Sequence, residues 1–117
     1  MATKARIRLK ADRAWMMAVL NKWGWNCLVC GTSAIQVHHF FPKGLYPQLR
    51  YDLNNGIPIC KSCHFKHHHL AIPLIHATII EKRGKLWYGK LKEKSKHLKS
   101  GFMTVDYLED IIKKLEK

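Results

Sequence analysis

The chain has 117 residues, which is enough for one domain and short for two. It carries 21 Lys and Arg against 8 Asp and Glu, and the net charge of +13 predicts a polyanionic partner, with nucleic acid the leading candidate. The basic N-terminus excludes a signal peptide, and no apolar run approaches the ~18 residues that a membrane span needs. We therefore expect a soluble, cytoplasmic protein without a membrane partner.

The N-terminal part of the chain predicts a basic arm followed by one helix. Residues 1–11 lack a clear helical pattern and are expected either to contact phosphates or to stay solvated. From about Asp12 to Trp23, apolar side chains recur at helical spacing, and Gly24 follows as a stop signal. The stripe predicts core packing rather than a surface that stacks on bases, and it consists of Trp15, Met16, Val19, Leu20 and Trp23.

Two Cys-x-x-Cys pairs frame the next part of the chain, Cys27 with Cys30 and Cys60 with Cys63. In a reducing compartment, thiols paired at this spacing favour metal binding over disulfides. Four thiolates are the ligands of a closed tetrahedral zinc site. The pairs therefore predict a structural zinc ion that stabilises a small core.

Between the cysteine pairs, two short apolar runs predict an antiparallel hairpin. The first run, residues 35–41, carries His38 and His39, and the second covers residues 57–59. Asn54-Asn55-Gly56 is a tight-turn signal directly before the second run.

The segment between the two runs, residues 42–53, predicts a loop because it contains two prolines and a glycine. Lys43 and Arg50 in this loop are candidate nucleic-acid contacts. A solvated loop charge is an equally good interpretation of each.

A helix is expected to begin at about Lys61 and to carry a group of histidines. His64 and His68 are four residues apart and share a helix face, and His67 is a near neighbour on that face.

The remaining chain predicts helices. Pro73 separates the histidine helix from an apolar stripe that ends at Gly84, a short helix follows, and residues 92–101 are expected to form an exposed connector. Thr104 is expected to cap a final helix. Its apolar face predicts packing within the chain, with homodimerisation as the alternative, and consists of Val105, Leu108, Ile111, Ile112 and Leu115.

The order of these motifs resembles that of the HNH endonucleases, whose ββα-metal motif is a hairpin packed on a helix with a divalent ion between them. The residues that carry the resemblance are His38-His39, Asn55, Cys60, Cys63-His64 and His68. The resemblance covers about residues 27–69, and the flanking helices are similar to those of small phage-borne HNH proteins. It implies an α+β fold in which a small ββα-metal motif with a structural zinc site is flanked by an N-terminal helix and C-terminal helices.

The expected organisation along the chain is a basic arm over residues 1–11, a nuclease core over residues 12–72 and a helical extension over residues 73–117. The resemblance implies that His39 is the general base, which takes a proton from the attacking water. It also implies that Asn55 pins the loop and orients that base. Asn54 remains an alternative to Asn55.

The resemblance further implies that His38, His64 and His68 hold the catalytic divalent ion, with His64 also counted among the catalytic residues. His67 remains an alternative to His68. Imidazoles suit Mn²⁺, Ni²⁺, Co²⁺ or Zn²⁺ better than Mg²⁺, which prefers oxygen ligands, although a weakly held Mg²⁺ stays open. We therefore expect better activity with Mn²⁺ or Ni²⁺ than with Mg²⁺.

The function predicted from the sequence is metal-dependent hydrolysis of phosphodiester bonds in double-stranded DNA, leaving 5′-phosphate ends as the resemblance implies. Branched DNA is an alternative substrate, and phage packaging or recombination proteins are candidate partners. One competing hypothesis is a non-catalytic, zinc-stabilised nucleic-acid-binding module. Another is a metal-storage or sensing site, which the +13 charge disfavours.

Overall fold

The computed structural model describes residues 3–70, 72–97 and 101–116. Short 3₁₀ turns at Pro47–Leu49 and Leu53–Asn55 lie between the two strands. The elements are α1 (Lys4–Trp23), β1 (Gln36–His39), β2 (Gly56–Ile59), α2 (Lys61–His69), α3 (Ile72–Arg83), α4 (Lys85–Ser95) and α5 (Val105–Leu115). This is the α+β class predicted from the sequence.

Helix α1 begins earlier than predicted, at Lys4 instead of Asp12. Thr3 caps it, since its hydroxyl accepts a hydrogen bond from the amide of Arg6 at 3.2 Å. Ile7 and Ala11 continue the buried stripe toward the N-terminus, and the charged residues between them obscured that pattern in the sequence. Residues 4–11 are therefore helical rather than an irregular arm, while residues 1–2 lie outside the described residues.

The predicted antiparallel hairpin is confirmed. In its register, His38 lies opposite Ile57 and His39 lies opposite Gly56. Strand β1 is shorter than the predicted run of residues 35–41, since it ends at His39, and the Phe40 amide beyond it bonds to the Asn55 carbonyl at 2.9 Å. Strand β2 begins one residue before the predicted run of residues 57–59, at Gly56.

Two groups of buried side chains hold the helices to the hairpin. The predicted apolar face of α5 packs within the chain, where Leu108 and Ile112 meet Trp15 and other residues of α1. Helices α3 and α4 cover the strand connection on another side. The residues of that second cluster are Phe40, Leu49, Ile57, Ile75, Ile79 and Leu91.

The connector predicted over residues 92–101 is wrong at its start, since α4 continues to Ser95. Leu91 is buried and anchors this part of the helix, and lysines have good intrinsic helix propensity even where they are fully solvated. Residues 98–100 lie outside the described residues. None of the helices described is long and apolar enough to cross a membrane.

Candidate active site

Three imidazoles from the hairpin and α2 converge on one point. The ring nitrogens of His38, His64 and His68 all lie within 4.8 Å of one another. His64 and His68 are the closest pair, with 2.9 Å between their Nε2 atoms. Because imidazole nitrogens sit at 2.0–2.1 Å from a bound metal, two ligands of one ion are expected about 3 Å apart. The three residues therefore fit a shared divalent ion.

The four cysteines form a second group, with their Sγ atoms all within 4.8 Å of one another. The Sγ atoms of Cys30 and Cys60 are 3.6 Å apart, close to the separation of about 3.8 Å that tetrahedral Zn–S bonds of ~2.3 Å require. Hydrogen bonds from Thr32 lower the pKa of Cys30 to about 6, which favours the thiolate that binds metal. The cluster could hold zinc.

Cys60 links this cluster to the histidines. It is the N-cap of α2, and its Sγ accepts a hydrogen bond from the Cys63 amide at 3.4 Å. Since α2 also carries His64 and His68, anything that fixes the cysteines also fixes the start of the helix that presents these two rings.

His39 is the last residue of β1, and its ring is held on two sides. Its Nε2 lies 3.0 Å from the carbonyl oxygen of Arg50, which can only accept, so the imidazole donates. The ring of Trp15 stacks on the imidazole with the centroids 4.0 Å apart and 9° between the planes. Trp15 is in turn fixed by a 2.9 Å hydrogen bond from its Nε1 to the Asp52 carbonyl.

Burial keeps the histidines of the hairpin neutral. It lowers the pKa of His38 to about 3, helped by the nearby rings of His67, His64 and His68. Burial also lowers the pKa of His39 to about 4, although its bond to the Arg50 carbonyl acts in the opposite direction. At neutral pH both rings have a free nitrogen lone pair, as a metal ligand or a base requires.

Asn55 ties together the two ends of the strand connection. Its side chain has no solvent exposure. Its Oδ1 accepts from the Phe41 amide at 2.8 Å, and its Nδ2 donates to the carbonyls of Phe41 at 3.0 Å and Leu49 at 3.1 Å. Asn54 has a different role, because its Oδ1 accepts from Lys22 at the surface at 3.1 Å.

The two candidate nucleic-acid contacts in the loop lie in different environments. Lys43 is exposed. The side chain of Arg50 is 15% exposed, and its guanidinium forms two hydrogen bonds with Asp12 on α1, at 3.0 and 2.8 Å. Its charge is therefore already paired within the protein, whereas that of Lys43 is open to solvent.

His67, the alternative to His68, turns inward. Only 8% of it is exposed, and its ring meets the ring of His38 edge-on with the centroids 4.5 Å apart. His67 therefore packs beside the His38 ring and supports its position, while His68 is the residue grouped with His38 and His64.

Sequence patterns did not indicate that Trp15 and Asp12 border the site. Trp15 fitted the stripe predicted to form the core, and it is indeed buried, with 3% exposed. Asp12 was simply the start of a predicted helix. Their contacts with His39 and Arg50 join residues 24 and 38 positions apart in the chain, so periodicity within α1 could not predict them.

Residues 27–70 match the family model described as HNH endonuclease, which confirms the resemblance seen in the sequence. One curated relative, the mitochondrial DNA mismatch repair protein mutS homolog of Sarcophyton glaucum, is 34% identical over 67 residues. That alignment covers 54% of this chain and 7% of the relative, so the chain spans a small part of that protein's length. No solved structure matches the chain.

Proposed function

We propose that this protein, whose residues 27–70 form an HNH endonuclease domain, is a metal-dependent enzyme that hydrolyses phosphodiester bonds in DNA. The domain itself indicates a nuclease or nucleic-acid-binding function with DNA as the substrate. The observation that carries the catalytic proposal is the convergence of His38, His64 and His68 next to a neutral, doubly held His39.

His38, His64 and His68 would hold the catalytic ion, and the cysteine cluster would hold a structural zinc ion. A divalent ion held by these three imidazoles would supply positive charge that stabilises the phosphate under attack. Nitrogen ligands favour Mn²⁺, Ni²⁺, Co²⁺ or Zn²⁺ over Mg²⁺.

His39 would act as the general base. Donation of its N–H to the Arg50 carbonyl selects the tautomer, and the lone pair on the other ring nitrogen accepts a proton from water as that water attacks phosphorus. The Trp15 ring limits rotation of the imidazole, and the contacts of Asn55 hold the loop that supplies the Arg50 carbonyl. Positioning of this kind contributes to catalysis because the base must reach the water at hydrogen-bond distance.

The finer features of the reaction rest on the family resemblance and on charge. We propose double-stranded or branched DNA as the substrate and 5′-phosphate ends as the products. We further propose a cytoplasmic location, with phage packaging or recombination proteins as partners and homodimerisation as an alternative to a monomer. The exposed side chain of Lys43 supports DNA binding because its charge is accessible to phosphates. The net charge of +13 also favours association with DNA.

Cleavage of supercoiled plasmid tests the proposal, comparing the wild type with His39→Ala in Mn²⁺, Ni²⁺, Mg²⁺ and EDTA. We expect nicked or linear DNA with the wild type in Mn²⁺ or Ni²⁺, less in Mg²⁺ and none in EDTA. His39→Ala should bind DNA with unchanged affinity and cut at least about a hundredfold more slowly. If neither protein cuts under any metal while both bind DNA, the non-catalytic binding module replaces the nuclease.

A further inference from the structure

A second cationic site lies around the turn Leu53–Asn55, outside the histidine cluster. A cavity of about 390 Å³ opens there, a volume typical of small-molecule and nucleotide sites. Three of its lining residues are cations and none is acidic. The lining consists of Asn54, Arg83, Leu86, Trp87, Lys90, Leu91 and Lys94.

Arg83 is held rigidly in the wall of this cavity. Its guanidinium carbon lies 3.7 Å from the centroid of the Trp23 ring and 5.3 Å from that of Trp87. Each indole is itself fixed by a hydrogen bond from its Nε1 to the backbone, 2.9 Å to the Leu53 carbonyl and 2.8 Å to the Asn54 carbonyl. The charge is therefore preorganised, which reduces the ordering cost of binding an anion.

The same guanidinium has no acidic partner among the described residues. Its Nη1 makes one long hydrogen bond of 3.4 Å to the Asn54 carbonyl, and its buried Nε and Nη2 have no partner within the described chain. Burial lowers the pKa of Arg83 to about 10, so the group still carries its charge at neutral pH. A partly buried cation without a counter-charge is costly, and a bound anion would reduce that cost.

Lysines near Arg83 add to the positive charge around the turn. Lys22 bonds to the Asn54 side chain at 3.1 Å, and Lys94 pairs with Asp52 at 3.0 Å. Lys90 lines the cavity and is exposed. Four cations thus surround this turn, and the carboxylate of Asp52, which directly precedes it, is already engaged by Lys94.

We propose that this pocket binds a phosphate group of a nucleic-acid strand, with Arg83 as the fixed charge and Lys90 as the mobile one. This inference rests on the proposed function only in taking nucleic acid as the partner. A strand fits better than a small anion because Lys22, whose ammonium bonds to the neutral side chain of Asn54, extends the positive surface beyond a single phosphate. The half-exposed Trp23 offers an aromatic edge beside it.

The pocket borders the loop that supplies the Arg50 carbonyl, because Asn54 lines the pocket and Asn55, its neighbour in the chain, holds that loop. Asn54 receives the bonds from Trp87 and Arg83, and Asn55 pins the loop that contacts His39 through Arg50. A strand anchored here is therefore held against the turn that supports the proposed base.

DNA binding by the His39→Ala protein, without added divalent metal, tests this site independently of cleavage. The probe is a fluorescently labelled oligonucleotide, single- or double-stranded, and its anisotropy is titrated at several salt concentrations. The variant is Lys90→Glu, which changes an exposed side chain. The matched control is Lys113→Glu, which makes the same charge change on the exposed surface of α5.

We expect Lys90→Glu to weaken binding about tenfold and to reduce the slope of log K against log salt by about 1, as for one lost phosphate contact. Lys113→Glu should weaken binding no more than about twofold, as an effect of net charge alone. Arg83→Leu should weaken it further, provided that its circular dichroism matches the wild type. Equal losses in Lys90→Glu and Lys113→Glu would overturn the proposal.

Discussion

Gly56 lies so close to Val19 that α1 and β2 meet almost without a gap. A Cβ atom built on Gly56 would lie 2.8 Å from the Cγ1 of Val19 and 3.0 Å from the Trp15 ring. Gly56 also pairs with His39 in the hairpin register. The absence of a side chain at position 56 therefore sets how closely the helix carrying Trp15 approaches the strand carrying the proposed base.

Gly56→Ala should lower the free energy of unfolding by about 2 kcal/mol, because overpacking forces a well-packed core to shift. It should also slow cleavage, since Trp15 would move away from His39. Urea unfolding followed by circular dichroism measures the first effect, and the plasmid assay measures the second. Gly89→Ala is the control, because nothing lies within 4 Å of a Cβ at that position in α4. That variant should be slightly more stable than the wild type, and a Gly56→Ala protein as stable as Gly89→Ala would contradict the packing argument.

Asn55→Ala should destabilise the protein by about 3 kcal/mol, because it removes three hydrogen bonds and leaves the amide and the carbonyl of Phe41 without their partner. Asn55→Asp should be at least as harmful, since a carboxylate would face the carbonyls of Phe41 and Leu49. Asn54→Ala is the control and should cost less than about 1 kcal/mol, since it removes one exposed bond. Similar unfolding midpoints for Asn54→Ala and Asn55→Ala would show that the buried amide does not hold the loop.

Trp15→Leu should reduce the turnover number by about tenfold to a hundredfold with little change in KM, because it removes the ring stacked on His39. Trp15→Phe keeps an aromatic face but loses the bond to the Asp52 carbonyl, and it should retain most of the activity. Steady-state cleavage of a short duplex separates the two parameters. Mn²⁺ binding by both variants should stay at the wild-type level. If instead KM or Mn²⁺ affinity changed together with stability, Trp15 would have a purely structural role.

Zinc removal and histidine substitution should have separable effects. Cys63→Ser should lose bound zinc and unfold at a lower temperature, because structural zinc binding contributes directly to folding. His64→Ala combined with His68→Ala should keep one zinc ion per chain and near-wild-type melting, yet fail to bind Mn²⁺ or cleave DNA. Elemental analysis of the purified variants and thermal unfolding give the comparison. Loss of the tightly held zinc from the double histidine variant would show that the cysteines alone do not hold it.

Neutral substitution of Arg50 should affect folding stability, whereas neutral substitution of Lys43 should affect DNA binding. Arg50→Gln breaks a partly buried pair with Asp12 and should lower the free energy of unfolding by about 1–3 kcal/mol. Lys43→Gln should leave stability unchanged and reduce the salt dependence of DNA binding by about one phosphate contact. Thermal unfolding and anisotropy titrations distinguish the two. A salt slope that depends on Arg50 in a fully folded variant would show that its guanidinium leaves Asp12 to meet DNA.

Local spacing in the sequence predicted most of the hairpin and α2. The two cysteine pairs, the strand that carries His38 and His39, and the four-residue step from His64 to His68 are all patterns within a few residues. The capping Thr104 and the apolar face of α5 were predictable for the same reason. The start of α1 was not, because the basic residues around Ile7 and Ala11 hid the continuation of its buried stripe.

The contacts that hold the proposed base could not be predicted in this way, because they join residues far apart in the chain. Trp15 on His39, and Asp12 on Arg50, join α1 to the strand connection across long separations in the chain. Nothing in the amphipathic pattern of α1 specifies which buried residue meets which loop. The placement of Arg83 beside two indoles is equally a product of tertiary packing. Its partners come from separate elements and are Trp23, Trp87 and the Asn54 carbonyl.

Cys60 belongs to the thiolate cluster and is also the N-cap of α2. Metal binding at the cysteines is therefore expected to precede metal binding at the histidines. Zinc that fixes the Cys60 side chain should therefore also stabilise the first turn of the helix that presents His64 and His68, and a chain without zinc should bind its second ion more weakly. Affinity couplings of this kind are reciprocal, and occupancy of the histidines should in turn raise the affinity for zinc. Under the proposed function, a chain without zinc should then cleave DNA more slowly than a zinc-loaded chain at the same Mn²⁺ concentration.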